Sequence, residues 1–482
     1  MSKNSTGVVS NVSWKLAERL TAQIVTFGVS ILLARLLDPS DYGLISIVTI
    51  FITLANVFVS DGFGSALIQK KDADDLDFSS VLTFNILFSI VLYCVLFIVA
   101  PFIANFYGEG YELLCPVLRV LGLRIIASGV NSVQQAYIAK NMIFRKFFLA
   151  TLCGTILSAF VGIWMAYSGF RVWALVAQYL VNTTVDTIIL GISLKWWPGL
   201  RVSINRLKGL LSYGWKILGT SLMITGFIEL RALIIGKVYS SSDLAYYDRG
   251  KQFPNIAITN INSSLGAVLF SKMSSEQSDI NRVKETTRKS IRFSAYIICP
   301  MMLGLAAVAR PLISILLTDK WLPCVPLMQL FCVIYLFQPI HTANMQAIKA
   351  IGRSDVYMKL EIIKKSIELI ALLVFMWISV KAIVISMAVM TTAFVFINAL
   401  PNKKLLNYSI KEQMKDLGPA FSMSAIMFVC VSLIQFLPFE NSAILPLQIG
   451  VGGLVYLALS VLLNNKEYIY VKNHVLVFLK KK

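Results

Sequence analysis

The sequence predicts an all-α polytopic membrane protein with about 14 transmembrane helices. Its mean hydropathy is +0.73 and only 14% of its residues are charged, whereas about 25% are charged in an ordinary soluble domain. Apolar runs of about 20 residues recur, each long enough to cross a hydrocarbon layer roughly 30 Å thick. Since backbone groups in lipid must be hydrogen-bonded within their own segment, these runs are predicted to be helices. The predicted spans are 12–37, 42–68, 79–106, 114–139, 147–168, 172–193, 209–238, 243–270, 288–317, 323–349, 357–379, 382–400, 417–437 and 443–463.

The placement of positive charge predicts the orientation in the membrane. The formal net charge is +19, but the lysines and arginines concentrate in every second connection, as in 195–208, while alternate connections such as 106–112 hold almost none. This is the positive-inside pattern, so both termini are expected to be cytoplasmic and no nucleic-acid partner is expected. The tail 466–482 is expected to lie as a basic helix on the inner membrane surface, against membrane lipid.

Short motifs of the first half of the chain return in the second half, which indicates an internal repeat. Two of them open a predicted span in each copy, and a third is a patch of small residues near the end of a span. Three pairs share almost the same offset, which chance does not readily supply. The equivalent pairs are Trp14/Trp215, Asp41/Asp243, Gly64/Gly266 and Gln135/Gln346, at offsets of 201, 202, 202 and 211 residues.

The repeat predicts the domain organisation. Two six-helix lobes in the same orientation are followed by one further helix pair. An even number of spans per lobe makes the repeat parallel, and parallel repeats in transporters place the substrate between the halves. The predicted boundaries are 1–194 for the amino-terminal lobe, 195–208 for a cytoplasmic linker, 209–400 for the carboxyl-terminal lobe, and 401–482 for the extra helix pair and basic tail.

Three segments carry a resemblance to a known family. LLARLLDPSDYGLISIV (32–48), DGFGSALIQKKD (61–72) and QAIKAIGRSD (346–355) resemble the Wzx-type polysaccharide exporters. These are the O-antigen and colanic-acid flippases of the multidrug/oligosaccharidyl-lipid/polysaccharide superfamily. The resemblance implies a two-lobed fold like that of the multidrug MATE exporters. It also implies alternating-access transfer of undecaprenyl-pyrophosphate-linked repeat units from the cytoplasmic to the periplasmic leaflet of a bacterial inner membrane. Its expected partners are this lipid-linked oligosaccharide, a polysaccharide polymerase and a chain-length regulator.

Other functional classes lack the features they need. The chain has no G-x-x-x-x-G-K-[ST] phosphate loop, so it is not expected to hydrolyse ATP. Seven cysteines without a C-x-x-C pair and two histidines, His341 and His474, predict no metal site and no cofactor. The short outer connections leave little room for the catalytic residues of a membrane polymerase or ligase, so no enzyme activity is expected. A MATE-like drug exporter and a lipid II flippase remain as alternatives.

Three cations lie near the cytoplasmic ends of predicted spans. Lys15 and Arg19 are one helical turn apart on the first span, and Lys216 holds a similar place on the seventh. They are either anchors that extend to the membrane surface or a cationic mouth that collects a pyrophosphate headgroup from the inner leaflet.

Arg124 lies about ten residues into its span, hence roughly 15 Å deep at 1.5 Å per residue. With Ser128, Asn131 and Gln135 it forms a polar stripe on one helix face. Such a stripe does not face lipid, so it either binds neighbouring helices by hydrogen bonds or forms the wall of a hydrated cavity.

The eighth predicted span carries a polar face several turns long. Lys251, Asn255 and Asn262 recur on it at helical spacing, and Arg249 lies near its outer end, at a depth similar to that of Arg231 on the preceding span. Pairing with the nearby acids Glu229 and Asp248 explains two of these three cations. A surplus cation beside amide side chains suits phosphates and sugar hydroxyls.

Two acids lie deep in the amino-terminal lobe without an obvious local cation. Asp61 and Asp186 either bond to a neighbouring helix or form a proton or sodium site. A buried carboxylate is a natural ion-coupling element, so coupling to a proton or sodium gradient is a further expectation.

Overall fold

The computed structural model describes residues 21, 23–194, 199, 201–470 and 472–473, and all regular elements in these ranges are helices. The predicted all-α fold is therefore confirmed. By its internal contacts the chain divides into two units, one reaching to Ala245 and the other starting at Tyr246. The predicted lobe boundaries rest on the sequence repeat rather than on contacts, and they stay a prediction.

The helices of unit 1 follow one another with short connections. The last helix of this unit is α8, and a further helix, α9, begins just before Ala245 and continues into unit 2. The bounds are α1 Gln23–Leu36, α2 Pro39–Gln69, α3 Asp75–Tyr107, α4 Leu114–Gly122, α5 Arg124–Asn141, α6 Phe144–Tyr167, α7 Val172–Leu194, α8 Ile204–Val238 and α9 Ser241–Ser275.

Unit 2 contains most of α9 and eight further α-helices. Two short 3₁₀ helices, Asp319–Trp321 and Ile434–Phe436, lie in its connections. The bounds of the other helices are α10 Ile280–Ala307, α11 Ala309–Leu317, α12 Cys324–Leu336, α13 Gln338–Ala350, α14 Ser354–Phe375, α15 Val380–Leu405, α16 Ile410–Leu433 and α17 Asn441–Leu462.

Within the described ranges, 11 helical stretches are long and apolar enough to cross a membrane, so the chain is a multi-pass membrane protein. The described part of α1 is apolar but shorter. The helices α9 and α14 coincide with the predicted spans 243–270 and 357–379. They carry too many polar or charged side chains to count among the 11 apolar stretches. The predicted count of about 14 spans is therefore not confirmed, whereas the other predicted spans coincide with apolar helical stretches.

The repeated acids Asp41 and Asp243 cap the same helix start in both copies. The carboxylate of Asp41 accepts a hydrogen bond from the backbone N–H of Asp38, at 3.4 Å from N to Oδ2. Asp243 accepts in the same way from the N–H of Ser240 at 3.2 Å, and its own N–H donates to the Ser240 hydroxyl at 3.1 Å. Such reciprocal capping satisfies backbone donors that a helix start leaves unpaired.

The two predicted spans that carry Gln135 and Gln346 are both interrupted. The span 114–139 is divided at Leu123 into α4 and α5, and the span 323–349 is divided at Phe337 into α12 and α13. In the second case Pro339 lacks the N–H that would extend the hydrogen-bond ladder across the break. The first break makes Arg124 the opening residue of α5, whereas the sequence predicted that Arg124 lies within a continuous helix.

The predicted span 288–317 is also two helices, because α10 ends at Ala307 and α11 begins at Ala309. Pro311 has no N–H to donate to the carbonyl of Ala307, so the ladder is broken there. By contrast, α9 continues through Pro254, which leaves one hydrogen bond of its ladder unmade.

Close backbone approach joins α2 to α8 in unit 1. A Cβ atom on Gly214 would lie 2.6 Å from the carbonyl oxygen of Gly62, and one on Gly43 would overlap the carbonyl oxygen of Ser241. Gly43 belongs to the DPSDYG motif, and its lack of a side chain lets the start of α9 approach α2.

Unit 1 contains a buried ion-pair network. The side chain of Asp77 is 0% exposed, and its Oδ2 lies 2.6 Å from Lys70 Nζ and 3.4 Å from Arg206 Nη1. Lys140 Nζ donates to the carbonyl oxygen of Lys70 at 2.7 Å. Lys70 and Arg206, from two different basic connections, thus share the buried carboxylate of Asp77, which compensates its charge.

The α2–α8 contact generates a stability prediction. In Gly214→Ala the new methyl group meets the Gly62 backbone, so we expect overpacking to destabilise unit 1 by about 1–3 kcal/mol and to lower the melting temperature of the purified protein. Gly219→Ala in the same helix is the matched control, because nothing lies within 4 Å of its Cβ position. Equal melting temperatures for the two variants would contradict this packing.

Candidate functional site

Unit 1 contains an open polar cavity of about 300 Å³ lined by α2, α5 and α7. Its lining consists of hydroxyl, amide and charged side chains, although all three helices are apolar enough to span a membrane. The predicted polar stripe of α5 faces this cavity. The lining residues are Asn56, Ser60, Arg124, Ser128, Asn131, Ser132, Gln135, Asn182, Thr183 and Asp186.

Arg124 is held at one side of this cavity by α7. Its Nε donates to Thr183 Oγ1 at 2.8 Å, and its guanidinium carbon lies 5.5 Å from the ring centroid of Tyr179. The N-terminus of a helix is electropositive, so a cation at the start of α5 is not favoured by its own helix. Among the described residues Arg124 forms no ion pair, and its charge is available to an anion or a polar ligand in the cavity.

Asp186 accepts hydrogen bonds from two neighbouring helices. Asn131 Nδ2 on α5 lies 2.9 Å from its Oδ2, and Thr151 Oγ1 on α6 lies 3.4 Å from its Oδ1. Gln135 Nε2 in turn donates to Asn131 Oδ1 at 2.5 Å, so two residues of the stripe act together on the carboxylate. Within the described ranges Asp186 has no ion-pair partner. A carboxylate accepts about four hydrogen bonds, so acceptor capacity remains toward the cavity.

Asp61 differs from Asp186 in its placement. Its Oδ1 accepts from the hydroxyl of Ser60 at 2.9 Å. Ser60 contributes to the lining of the unit 1 cavity, but Asp61 itself does not. The structure thus places only the second of the two predicted ion-coupling acids at the cavity.

Unit 2 contains a larger open polar cavity of about 500 Å³ lined by α9, α13, α14 and α15. Two of its lining residues, Gln346 and Lys349, belong to the QAIKAIGRSD segment that carries the family resemblance. The lining residues are Asn262, Gly266, Gln338, His341, Thr342, Met345, Gln346, Lys349, Tyr357, Glu361, Lys364, Lys365, Glu368, Thr391, Phe394 and Asn398.

The lining of the unit 2 cavity carries more positive than negative charge. Lys364 Nζ lies 2.6 Å from Glu361 Oε1, and Lys365 Nζ lies 3.0 Å from Glu368 Oε2. A third cation, Lys349, has its Nζ 4.0 Å from the ring centroid of Tyr357. Three lysines therefore face two glutamates, which leaves a surplus of one positive charge.

His341 is held by partners of opposite hydrogen-bonding type. Its Nε2 lies 3.2 Å from the carbonyl oxygen of Thr391, and its Nδ1 lies 2.9 Å from Nδ2 of Asn398. A carbonyl oxygen only accepts, so Nε2 carries the hydrogen, and the amide donates to Nδ1. This arrangement fits a neutral imidazole, which adds a polar side chain to the cavity but no charge.

The two cavities occupy equivalent places in the sequence repeat. Ser60 and Asn262 are related by the offset of 202 residues, and Gln135 and Gln346 by the offset of 211. All four residues line their own cavity. Asn262 Oδ1 also accepts from the hydroxyl of Thr342 at 2.6 Å. The repeat therefore encodes one polar cavity in each unit, with different charged groups in each.

Other predicted binding residues lie outside these two linings. Lys216 is exposed on α8, and Arg231 lies farther along the same helix. Lys251 is partly buried on α9. Lys15 and Arg19 fall outside the described residues. A role of these five cations in substrate binding stays a prediction.

Arg249 and Asn255 of the predicted polar face are engaged within unit 2. Arg249 is 7% exposed, donates from Nη1 to Gln252 Oε1 at 2.6 Å and lies 5.4 Å from the ring centroid of Trp321. Asn255 Oδ1 accepts from the hydroxyls of Thr259 at 3.0 Å and of Tyr335 at 3.4 Å. A role of Arg249 and Asn255 in substrate binding stays a prediction.

The charged wall supplied by α14 was missed in the sequence. Tyr357, Glu361, Lys364 and Glu368 recur at helical spacing within the predicted span 357–379. That stripe has the same pattern as the one predicted on α5, and the six charged residues within the 22 residues of α14 were the available signal. His341 was considered only as a zinc ligand.

Comparison with known proteins identifies the class. Residues 32–326 match the polysaccharide biosynthesis protein family. This match covers more than half of the chain, so the chain belongs to that family. The predicted resemblance to polysaccharide exporters is confirmed at this level.

Individual relatives and structures extend the match along the chain. The teichuronic acid biosynthesis protein TuaB of Bacillus subtilis (strain 168) is 22% identical over 472 residues, covering 94% of this chain and 95% of that protein. The lipopolysaccharide biosynthesis protein WzxC of Escherichia coli (strain K12) is 21% identical over 362 residues, covering 74% and 72%. The structure of the lipid II flippase MurJ in an inward closed conformation is similar, with a TM-score of 0.75, 16% identity, and coverage of 94% and 98%. This last likeness concerns the fold.

The polar lining predicts that the unit 1 cavity is hydrated. In a variant without the seven native cysteines, Ser128→Cys should react with a hydrophilic thiol reagent, because water in the cavity lets the thiol ionise. Ile156→Cys is the control, since Ile156 is 51% exposed on the apolar surface of α6 and a thiol in hydrocarbon stays protonated. Labelling of both positions at the same rate would contradict a hydrated cavity.

Proposed function

We propose that the protein is a flippase that moves undecaprenyl-pyrophosphate-linked polysaccharide repeat units from the cytoplasmic to the periplasmic leaflet by alternating access. The observation that carries this proposal is the unit 2 cavity, in which surplus positive charge and amide side chains are held within membrane helices. Charged side chains in a membrane span are costly, and they mark ion or substrate pathways. Family membership supplies the class of substrate.

The chemistry of the cavity fits the polar part of such a substrate. A pyrophosphate is a diffuse anion with several acceptor oxygens, and lysine binds it through a compact ammonium with three donors. Gln346, Asn262 and Thr342 offer donors and acceptors that suit sugar hydroxyls. The undecaprenyl chain needs no polar contact and stays in the hydrocarbon. We propose Lys349 as the first cation to contact the pyrophosphate, because neither glutamate of the cavity pairs with it.

The unit 1 cavity suits ion coupling. Asp186 is the acid that faces this cavity, with donors from Asn131 and Thr151 that orient it. We propose that Asp186 binds the proton or sodium ion whose gradient drives the transport cycle. Arg124 lines the same cavity, and its repulsion favours release of a cation when the cavity opens.

The alternatives are less well supported by the charges. A drug exporter for cationic compounds needs an acidic cavity, whereas the larger cavity has a positive surplus. A lipid II flippase would bind the same pyrophosphate group, and the likeness to MurJ concerns the fold alone. The two candidate substrates therefore differ in the sugar that the pyrophosphate carries. We place the protein in a bacterial inner membrane with both termini cytoplasmic, beside a polymerase and a chain-length regulator. This placement rests on the distribution of basic residues and on the family.

The substrate is tested in the native host by deleting the gene. We expect undecaprenyl-pyrophosphate-linked repeat units to accumulate in the cytoplasmic leaflet, where an impermeant glycan-binding probe reaches them only in inverted membrane vesicles. Restoring the wild-type chain should return them to the periplasmic leaflet. Normal transfer without the gene, or accumulation of lipid II instead, would contradict the proposal.

The same strain tests the coupling acid. Asp186→Asn removes the charge and keeps the shape, so we expect export to be lost or to become insensitive to the ion gradient, while the lipid-linked substrate still binds. Asp61→Asn is the matched control, because Asp61 does not line the cavity, and it should retain most of the export. If Asp186→Asn exports normally across pH and sodium concentration, Asp186 is not the coupling site.

A further inference from the structure

A third cavity, of about 550 Å³, lies in unit 2 where α10 meets the ends of α16 and α17. It is lined by residues different from those of the unit 2 cavity described above. α17 ends at Leu462, and the cavity extends to Lys466 and Glu467 beyond that end. Asp416 lies six residues into α16, hence about 9 Å from its start at 1.5 Å per residue. The cavity is thus at the depth of lipid headgroups, on the side that loop charge predicts to be cytoplasmic.

One wall of this cavity is a fixed pair of guanidinium groups. The side chain of Asp416 is 1% exposed and accepts from Arg288 Nε at 2.8 Å, from Arg292 Nε at 2.7 Å and from the Tyr408 hydroxyl at 2.8 Å. Two cations share one carboxylate, so one positive charge is left over. Both arginine side chains are 32% exposed, which leaves part of each guanidinium facing the cavity.

The remaining charges add to this surplus. Lys415 and Lys466 line the cavity and are exposed. Glu412 is engaged by Lys284 Nζ at 3.1 Å and by the backbone N–H of Ser409 at 2.8 Å. Counted with Lys284, five cations face the three carboxylates of Glu412, Asp416 and Glu467, which leaves a surplus of two positive charges.

Below the charged rim the surface is apolar. Pro419, Ala420, Met423 and Leu463 belong to the lining. The same two helices, α16 and α17, also carry exposed apolar side chains, namely Phe421, Val429, Leu454, Leu457 and Leu462. A ligand that matches both the charged and the apolar residues of the lining has an anionic head and hydrocarbon chains. Basic pockets between membrane helices bind anionic lipid headgroups in this way.

We propose that this cavity binds the phosphate of an anionic phospholipid of the surrounding leaflet. Arg288 and Arg292 form the fixed wall of hydrogen-bond donors. Lys415 and Lys466 contact the phosphate from two different helical segments. The extra helix pair, α16 and α17, then has a defined task, because one bound lipid joins it to α10. The proposal is independent of the transported substrate.

Native mass spectrometry of the purified full-length protein tests the site, with dioleoylphosphatidylglycerol, dioleoylphosphatidylcholine, inorganic phosphate and undecaprenyl phosphate as probes. We expect the phosphatidylglycerol to bind more tightly than the phosphatidylcholine. Lys415→Gln/Lys466→Gln should weaken it roughly 25-fold, since each lysine near an anionic lipid contributes on the order of fivefold. Both side chains are exposed, so folding is not at risk. Lys403→Gln/Lys404→Gln, at the end of α15, removes the same charge outside the cavity and should bind like the wild type.

Several results would overturn the proposal. Equal binding of the two phospholipids would show that charge does not select the ligand. Displacement of the phospholipid by millimolar inorganic phosphate would indicate a simple anion site without acyl-chain contacts. Preferential binding of undecaprenyl phosphate would assign the cavity to the transported lipid instead. Full binding by Lys415→Gln/Lys466→Gln would remove the two lysines from the site.

Discussion

The cost of an unpaired polar group in hydrocarbon is the constraint on which the rest of this structure depends. It explains why Asp186 takes donors from two helices and why Lys364 and Lys365 are each paired with a glutamate within α14. Where partners compensate a buried charge, as Lys70 and Arg206 do for Asp77, no charge is left for a ligand. Where charge is left over inside the membrane helices, as at Lys349, we infer a place for a ligand.

The repeat builds one polar cavity in each unit and gives the two cavities different chemistry. Gln135 and Gln346 are kept as corresponding amides. The unit 1 cavity then adds a single carboxylate and a single guanidinium that are not paired with each other, which suits the binding and release of a small cation. The unit 2 cavity is larger and adds several lysines, which suits an anionic headgroup with sugars. We propose that the two copies of one scaffold divide ion coupling and substrate binding between them in this way.

Features that depend on local periodicity could be predicted from the sequence. Contacts between distant segments could not. Run length and composition placed the helices, and the stripe from Arg124 to Gln135 was correctly assigned to one face. The partner of Asn131 could not be predicted, because Asp186 lies 55 residues away and any inner face of the unit was available. No proline lies at Leu123, so the break between α4 and α5 could not be predicted. The α14 stripe was overlooked because its acids and lysines alternate, which resembles a solvated surface.

Direct binding measurements on Lys349 test the central claim that surplus charge in the unit 2 cavity holds the pyrophosphate. The measured quantity is the affinity of the purified protein for undecaprenyl pyrophosphate. A charge-assisted hydrogen bond contributes about 1.5–3 kcal/mol, so Lys349→Gln should weaken binding at least about tenfold, and Lys349→Arg should retain most of it. Lys359→Gln, on the exposed face of α14, should bind like the wild type. Unchanged affinity in Lys349→Gln, or an equal loss in Lys359→Gln, would contradict the account.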